Sequence, residues 1–315
     1  MSKITKRLKA FAEELPDFGF FIAITNLLWP LIAKLPKCVG RPIMERKHQA
    51  VFRFIRKTVG QDMPEDMHRC CVIHDFPSAP IWVCWLQGEE QMPDLCRTCM
   101  ASLRKHAAGH PVVVITEDNF QDYCYVPQHI VGNYRSGIIK PAHFADIIRT
   151  CLLYEHGGLW TDATLFVKHD LPAEIFDSPY YSIRFPNKGF YITECRWCNF
   201  FLSAKPRNSW YGLVRRYFFA YLQKESHFVD YFMMDYLMKM AYDSEERIRA
   251  EVDSIPVNNE DVHYVSSLLS LPADGKIKEV LNGPTYLFKL SWRLNPLTMA
   301  DGKTTVWSYL QQQYL

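Results

Sequence analysis

Two short, unbroken apolar runs constrain the fold of this chain most strongly. Residues 81–86 read IWVCWL and residues 111–116 read PVVVIT, and each run is too short for a buried helix. Runs of this length without polar alternation are typical of strands buried on both faces of a parallel sheet. Residues 95–107 lie between them and predict a crossover helix. The order strand, helix, strand predicts an α/β domain with a mostly parallel central sheet flanked by helices.

The same alternation continues through residues 141–162. Pro141 suits the first turn of a helix, and the pair Gly157-Gly158 suits its end. Residues 158–162 then predict a third short strand. In open α/β sheets, ligands bind beyond the carboxyl ends of the strands. Here those ends are residues 87–88, residues 116–119 and Asp162, so we expect the binding site along that edge.

A charged pair on the predicted helix points to the same edge. Asp146 and Arg149 are three positions apart and are therefore neighbours on the helix surface. Taken alone, such a pair is commonly an exposed salt bridge worth less than about 1 kcal/mol. The Gly-Gly turn permits close backbone approach, and Asp162 follows at a strand end, which together favour a ligand site.

Composition excludes some classes of function. Thirty-six basic and thirty-four acidic residues give a formal charge of +2, which lacks the one-sided field of a nucleic-acid-binding protein. The ten cysteines stand mostly in apolar contexts, which indicates reduced thiols and a cytoplasmic protein. Two Cys-x-x-Cys pairs, Cys96/Cys99 and Cys195/Cys198, lack the Gly/Pro-rich knuckle of zinc sites and do not predict zinc.

The N-terminal region contains an uncharged run at residues 18–33 (FGFFIAITNLLWPLIA) with basic residues on both sides. As a helix it would reach about 24 Å, short of the ~30 Å hydrocarbon core, which argues against a membrane span. It also lacks the layout of a signal peptide. Two interpretations remain: a broken hairpin lying on an anionic membrane surface, or a helix pair packed on the domain. We assign residues 1–70 to this segment and a helical connector, and residues 71–315 to the main domain.

The centre of the sequence resembles a known group of enzymes. Residues 145–149 (ADIIR) followed by residues 157–162 (GGLWTD) look like the helix-to-DxD segment of glycosyltransferases with a GT-A fold. This group includes the yeast initiating mannosyltransferases, the clostridial toxin glucosyltransferase domains and, most similar here, bacterial capsular polysaccharide synthesis proteins. Residues 81–88 resemble the first strand of the group. Weaker similarity extends over residues 78–295, and residues 1–40 resemble the leader of the capsular proteins.

The resemblance implies a GT-A-like domain that transfers a hexose from a nucleotide-sugar donor, with retention of configuration. The implied acceptor is a growing or lipid-linked saccharide of a bacterial surface polysaccharide. The implied location is the inner face of the plasma membrane, with the protein bound peripherally. Asp146 and Arg149 would hold hydroxyls of the donor sugar, while Asp162 would face the ribose and a divalent metal, Mn²⁺ or Mg²⁺. The full expected donor-binding set is Trp85, Leu86, Gln87, Gly88, Asp146, Arg149, Gly157, Gly158 and Asp162.

One position departs from the pattern of the group. Thr164 stands where the second acid of the DxD motif is expected, and a hydroxyl is a weaker, neutral metal ligand. Asp162 and Thr164 are the predicted metal ligands. Lys289 is a candidate cation that would stabilise the leaving diphosphate, although a solvated loop lysine is the simpler interpretation. Trp85 is preferred to Trp82 for stacking on the nucleobase, because Trp85 lies nearer the end of its strand.

Two other functions stay open at this point. A nucleotidyltransferase or sugar-phosphate transferase would ordinarily need a Gly-rich or basic phosphate loop, and the sequence contains none. A non-catalytic protein that binds sugar nucleotides, or a scaffold of the same fold, is suggested by the missing second acid at Thr164.

Overall fold

The structure of the protein is a computed structural model, in which residues 3–61, 64, 69–71, 74–186 and 192–314 are described. Three helices form its N-terminal part: α1 (Lys3–Phe18), α2 (Phe20–Ile32) and α3 (Lys37–Val59). Gly19 separates the first two with a φ of +80°, a conformation that glycine adopts without strain. Helices α1 and α2 pack together as a hairpin, and α2 also packs on α3.

Nine strands follow in the described residues. They are β1 (Ile81–Cys84), β2 (Val112–Ile115), β3 (Gly158–Thr161), β4 (Leu165–Val167), β5 (Tyr180–Ser182), β6 (Phe201–Ala204), β7 (Leu287–Lys289), β8 (Met299–Ala300) and β9 (Lys303–Thr304). Five of them form the central sheet in the order β2-β1-β3-β6-β5. Strand β1 is parallel to β2 and β3, while β6 is antiparallel to both β3 and β5. Four of the five strands therefore run in one direction, and the predicted mostly parallel sheet is confirmed.

The remaining helices connect and cover this sheet. They are α4 (Asp94–Lys105), α5 (Phe120–Tyr123), α6 (Gln128–Arg135), α7 (Pro141–Glu155), α8 (Glu174–Asp177), α9 (Ser209–Leu222), α10 (Met233–Ser244), α11 (Glu246–Asp253), α12 (Gly275–Leu281) and α13 (Val306–Gln311). Helix α4 is the crossover between β1 and β2, and α7 leads into β3, as the sequence predicts. Two small antiparallel pairs, β4-β7 and β8-β9, lie outside the central sheet.

Two predicted boundaries are wrong for local reasons. Strand β1 ends at Cys84 instead of residue 86, because Gly88 N–H donates to the Trp85 carbonyl (3.0 Å) and closes a turn. The aromatic and apolar segment 228–240, which the sequence predicts to be helical, forms a helix only from Met233 onwards. There the Asp230 carboxylate accepts a hydrogen bond from the Phe232 N–H (2.8 Å). This side-chain turn competes with helical hydrogen bonding.

The N-terminal helices share the main hydrophobic core. Phe18, Ile22, Val51 and Ile55 are buried in the same cluster as the strands of the central sheet. A buried ion pair also joins α3 to the rest of the chain: Lys47 Nζ lies 2.6 Å from an Asp230 carboxylate oxygen, with both side chains less than a tenth exposed. Within the described residues, no helix combines the length and apolarity required to cross a bilayer.

Candidate active site

Helix α7 supplies the first two residues of the site. Its apolar face, including Phe144, Ile147 and Ile148, is buried in the main core. This orientation leaves Asp146 and Arg149 beside the carboxyl end of β3, where Arg149 Nη2 lies 3.1 Å from Asp146 Oδ1. The Arg149 side chain is only 7% exposed, so the pair is not the solvated salt bridge of the simpler interpretation.

Strand β3 brings Asp162 to the same place. Its backbone is fixed by a hydrogen bond from Asp162 N–H to the Phe200 carbonyl (3.0 Å). The carboxylate oxygen Oδ1 lies 3.8 Å from Arg149 Nη2 and 3.4 Å from the indole N–H of Trp160. The Arg149 guanidinium also lies over the Trp160 ring at 4.6 Å. The predicted convergence of Asp146, Arg149 and Asp162 is therefore present in the structure.

Lys289 completes a charged cluster at this edge. It lies on strand β7, in register with Leu165 of β4, and not on a loop. Its ammonium donates hydrogen bonds to Asp162 Oδ2 (2.9 Å) and to Thr164 Oγ1 (2.5 Å). The lysine is 22% exposed. Lys289 thus bridges Asp162 and Thr164.

Sequence reasoning did not assign a role to Asp235, which lies in the first turn of α10. Its Oδ1 accepts hydrogen bonds from Trp197 Nε1 (3.0 Å) and Asn199 Nδ2 (2.8 Å). The preceding residue, Met234, places its sulfur 3.5 Å from Arg149 Nη1. The sequence did contain a signal for Asp235, because the segment with Trp197 and Asn199 and the segment with Met234 and Asp235 both lie within the weaker similarity over residues 78–295.

The three carboxyl groups have different electrostatic environments. Burial raises the pKa of Asp146 to about 7; Arg149 opposes this shift, and Asp235 and Asp162 add to it. Burial also raises the pKa of Asp235 to about 6, against hydrogen bonds from Trp197 and Asn199. For Asp162, burial favours the neutral form, but Lys289 and Arg149 together outweigh it and lower the pKa below 3.8. Asp162 is therefore the most fully ionised of the three carboxyl groups at neutral pH.

The end of β1 forms the other flank of the site. The predicted residues Trp85, Leu86, Gln87 and Gly88 occupy the turn after this strand. The Trp85 ring meets that of Trp292 edge to face, with centroids 6.3 Å apart. Its indole N–H is buried and has no hydrogen-bond partner among the described residues. A hydrogen-bonding ligand would satisfy this group.

Trp82 has a structural role, consistent with the preference for Trp85. Its side chain is fully buried in the core. The indole N–H of Trp82 donates to the Gly157 carbonyl at 2.8 Å.

The expectation that Gly157 and Gly158 contact the donor is corrected by the structure. Gly158 begins β3 and Gly157 directly precedes it. Asp162 follows the other end of the strand, roughly 13 Å away for four residues. A Cβ on Gly158 would stand 2.2 Å from the Pro80 carbonyl oxygen, and one on Gly157 would stand 2.6 Å from the Ala204 carbonyl oxygen. The close approach that requires glycine is to the protein backbone and not to a ligand.

The predicted metal ligands do not fit a divalent ion in this arrangement. Asp162 and Thr164 both accept hydrogen bonds from the Lys289 ammonium, so a cation between them would meet a positive charge at close range. Within the part of the chain that the structure describes, no group of three or more His, Cys, Asp or Glu side chains is arranged to hold a metal. The metal itself stays a prediction.

The fold and the site define an α/β protein with a charged cluster at the carboxyl edge of a mostly parallel sheet. Residues 33–310 match the family described as capsular polysaccharide synthesis protein, so this chain belongs to that family. No curated protein matches the chain. Among solved structures, the PaToxG glycosyltransferase is similar with a TM-score of 0.41 and 13% identity, over 78% of this chain and 99% of that one.

Proposed function

We propose that this protein is a glycosyltransferase that moves a sugar from a nucleotide-sugar donor to a saccharide acceptor. The observation that carries the proposal is the convergence of Asp146, Arg149, Asp162 and Lys289 at the carboxyl edge of the sheet. Membership of a capsular polysaccharide synthesis family supports it, because such polymers are built by sugar transfer.

The order of the residues along this edge suggests how a donor would lie. The nucleobase would stack against Trp85 and Trp292 at the end of β1. The diphosphate would lie beside Lys289, and the sugar hydroxyls would reach Asp146 and Arg149. As the bond from sugar to diphosphate breaks, negative charge builds on the departing phosphate, and the fixed ammonium of Lys289 would stabilise it.

Retention of configuration belongs to the same proposal and rests on the resemblance. The acceptor hydroxyl would attack from the face that the diphosphate leaves, and the leaving phosphate oxygen would take its proton. No enzyme carboxylate then has to act as a nucleophile. Product analysis by NMR decides this point, because an inverted anomeric configuration contradicts it.

A donor panel tests the proposal against its alternatives. Purified protein is titrated by calorimetry with a set of nucleotide sugars, with and without Mn²⁺, and the products are examined for free sugar and free nucleotide. Release of nucleoside diphosphate, abolished in a folded Asp162→Asn variant, supports a glycosyltransferase. Binding without turnover supports the non-catalytic alternative, and release of pyrophosphate or of nucleoside monophosphate supports the nucleotidyl or sugar-phosphate transferase.

We also propose that the protein binds an anionic membrane surface peripherally, on the cytoplasmic face, where a lipid-linked acceptor would be located. The α1-α2 hairpin exposes large apolar side chains, including Phe20 (65%), Trp29 (41%) and Leu31 (63%). Exposed basic residues flank them: Arg7, Lys9, Lys34, Lys37 and Arg41. Aromatic and aliphatic groups beside basic ones match a lipid interface with anionic headgroups.

This surface continues towards the active site. Asn26 of α2 donates to the Val229 carbonyl (3.2 Å), and Tyr231 and Phe232, which follow the buried Asp230, are exposed. The Tyr231 carbonyl in turn lies 3.2 Å from His143 Nε2, one helical turn before Asp146. A lipid-linked saccharide held at the membrane would thus reach the site over a short path.

Vesicle co-sedimentation tests the membrane proposal. The triple variant Phe20→Ser, Trp29→Ser, Leu31→Ser should lose binding to vesicles that contain anionic lipid, and wild type should bind neutral vesicles less well. Leu297→Ser is the matched control, because Leu297 is 58% exposed but distant in sequence from the hairpin. Unchanged sedimentation of the triple variant contradicts the proposal, as does a change only in its oligomeric state by size-exclusion chromatography, which would indicate self-association.

A further inference from the structure

We infer that the ammonium of Lys289 holds the position that a divalent cation would occupy at the Asp162-Thr164 motif, so that donor binding needs no metal. The inference deepens the proposed glycosyltransferase function and rests on it for the identity of the ligand, a nucleoside diphosphate group. It concerns what neutralises the charge of that group.

The backbone fixes Lys289 beside the motif. Strand β7 pairs with β4, which places Lys289 opposite Leu165, the residue that follows Thr164. On one side, Lys289 N–H donates to the Val262 carbonyl (2.7 Å), and next to it Leu290 N–H donates to the Thr164 carbonyl (2.9 Å). These bonds fix the backbone of Lys289 beside Thr164, and in the structure the side chain extends from there to Asp162 and Thr164.

The chemistry of the motif matches a single positive charge. One carboxylate, Asp162, balances one ammonium, and the Thr164 hydroxyl accepts a hydrogen bond without adding charge. Thr164 is buried, so a second acid there would add a desolvated negative charge that would have to share the Lys289 ammonium with Asp162. The threonine and the lysine therefore form a complementary pair.

The other acids near the site are already engaged. Asp146 pairs with Arg149 at 3.1 Å, and Asp235 accepts from Trp197 and Asn199. Together with the Lys289 contacts, these interactions leave no open set of oxygen ligands around Asp162 among the described side chains. Because the Lys289 ammonium is already held in place, no metal ion has to bind before the donor does.

The first experiment measures metal binding directly. Mn²⁺ alone is titrated into the full-length protein and followed by EPR of the free ion, for wild type, Lys289→Asp and Lys289→Asp/Asp162→Asn. We expect no binding by wild type, binding by Lys289→Asp, which offers two carboxylates and a hydroxyl, and loss of that binding in the double variant. The inference is overturned if wild type binds Mn²⁺ and the Asp162→Asn substitution removes that binding. It is also overturned if neither wild type nor Lys289→Asp binds Mn²⁺.

The second experiment measures ligand binding. UDP, GDP and CDP are each titrated by calorimetry in EDTA and in Mn²⁺. At least one should bind wild type with an affinity that Mn²⁺ changes by no more than about twofold, whereas Lys289→Met should weaken binding by about tenfold or more, the usual loss for a charged hydrogen bond. Lys168→Met is the matched control, because Lys168 is a partly buried lysine directly after β4 whose Nζ bonds Gln313 and not the site.

These outcomes separate the inference from the proposed function. If Mn²⁺ raises the nucleotide affinity of wild type by more than about tenfold, the inferred role of Lys289 is overturned, but the proposed glycosyltransferase function is not contradicted. No binding of any nucleotide by a folded wild type, together with the expected Mn²⁺ pattern, contradicts the function and not the placement of the charge. Circular dichroism and thermal unfolding of each variant establish that it is folded, and Lys289→Arg, which keeps the charge, should retain chelator-resistant binding.

Discussion

Asp146 offers a prediction in which stability and function change in opposite directions. Its pKa is raised from 3.8 to about 7, first because burial disfavours the charge, and Arg149 offsets only part of this effect. In the unfolded chain the carboxyl releases its proton near 3.8, so between that pH and about 7 the folded state binds more protons. Stability therefore falls as the pH rises through this range and stays low above it.

The variant Asp146→Asn removes the titrating group and nearly keeps its size. The rise in the pKa of Asp146 from 3.8 to about 7 lowers the free energy of unfolding of wild type by about 4 kcal/mol at pH 8. At pH 5, where only the unfolded chain is ionised, the same rise lowers it by less than about 2 kcal/mol. Urea unfolding at both pH values should show the variant gaining about 2–3 kcal/mol more at pH 8 than at pH 5, relative to wild type. Comparing the two pH values cancels any constant effect of the lost Arg149 contact.

An equal effect of Asp146→Asn at both pH values, or a larger gain at pH 5, would refute this reasoning. The exposed Asp118 provides the control, since Asp118→Asn should change stability little at either pH. If Asp146 also holds the donor sugar, the more stable variant should be the less active one, which the donor panel measures separately.

Two further predictions concern the two ends of the central strands. Trp85→Leu should weaken nucleotide binding in calorimetry and cost less stability than Trp82→Leu, because Trp85 is only partly buried against the core. Trp82→Leu, a substitution at a fully buried position, should cost about 3 kcal/mol in urea unfolding. The reverse pattern would contradict the assignment of the two rings. Gly158→Ala should destabilise the protein far more than the control Gly109→Ala. The two glycines have nearly the same φ, +84° and +82°, but only a Cβ on residue 158 would stand 2.2 Å from the Pro80 carbonyl oxygen. Similar unfolding curves of the two variants would show that this close approach is unimportant.

The elements between residues 81 and 162 follow from local patterns, and this explains why the sequence predicts them well. Unbroken apolar runs, a proline at a helix start and glycines at its end depend only on near neighbours in the chain. The same segment contains Asp146, Arg149 and Asp162, so that half of the candidate site is predictable together with its fold.

The other half of the site depends on pairing between distant parts of the chain. Lys289 and Asp162 are 127 positions apart, and their contact follows from the pairing of β7 with β4, which no local pattern encodes. Asp235 reaches the site because α10 packs beside Arg149, again a tertiary effect. For Gly157 and Gly158, the sequence indicates only that close backbone approach is permitted, and the structure shows that the approach is to Pro80 and Ala204.

The packing of the N-terminal α1-α2 hairpin on later parts of the chain has a consequence for how the protein is synthesised. Asn26 of α2 bonds the carbonyl of Val229, 203 positions later in the chain. At ribosomal rates of roughly 5–20 residues per second, that partner emerges about 10–40 s after the hairpin. During this interval the apolar side chains of the hairpin that pack on later parts of the chain, such as Phe18 and Ile22, are uncovered. We therefore expect the nascent hairpin to bind a chaperone or the bilayer until the rest of the domain arrives.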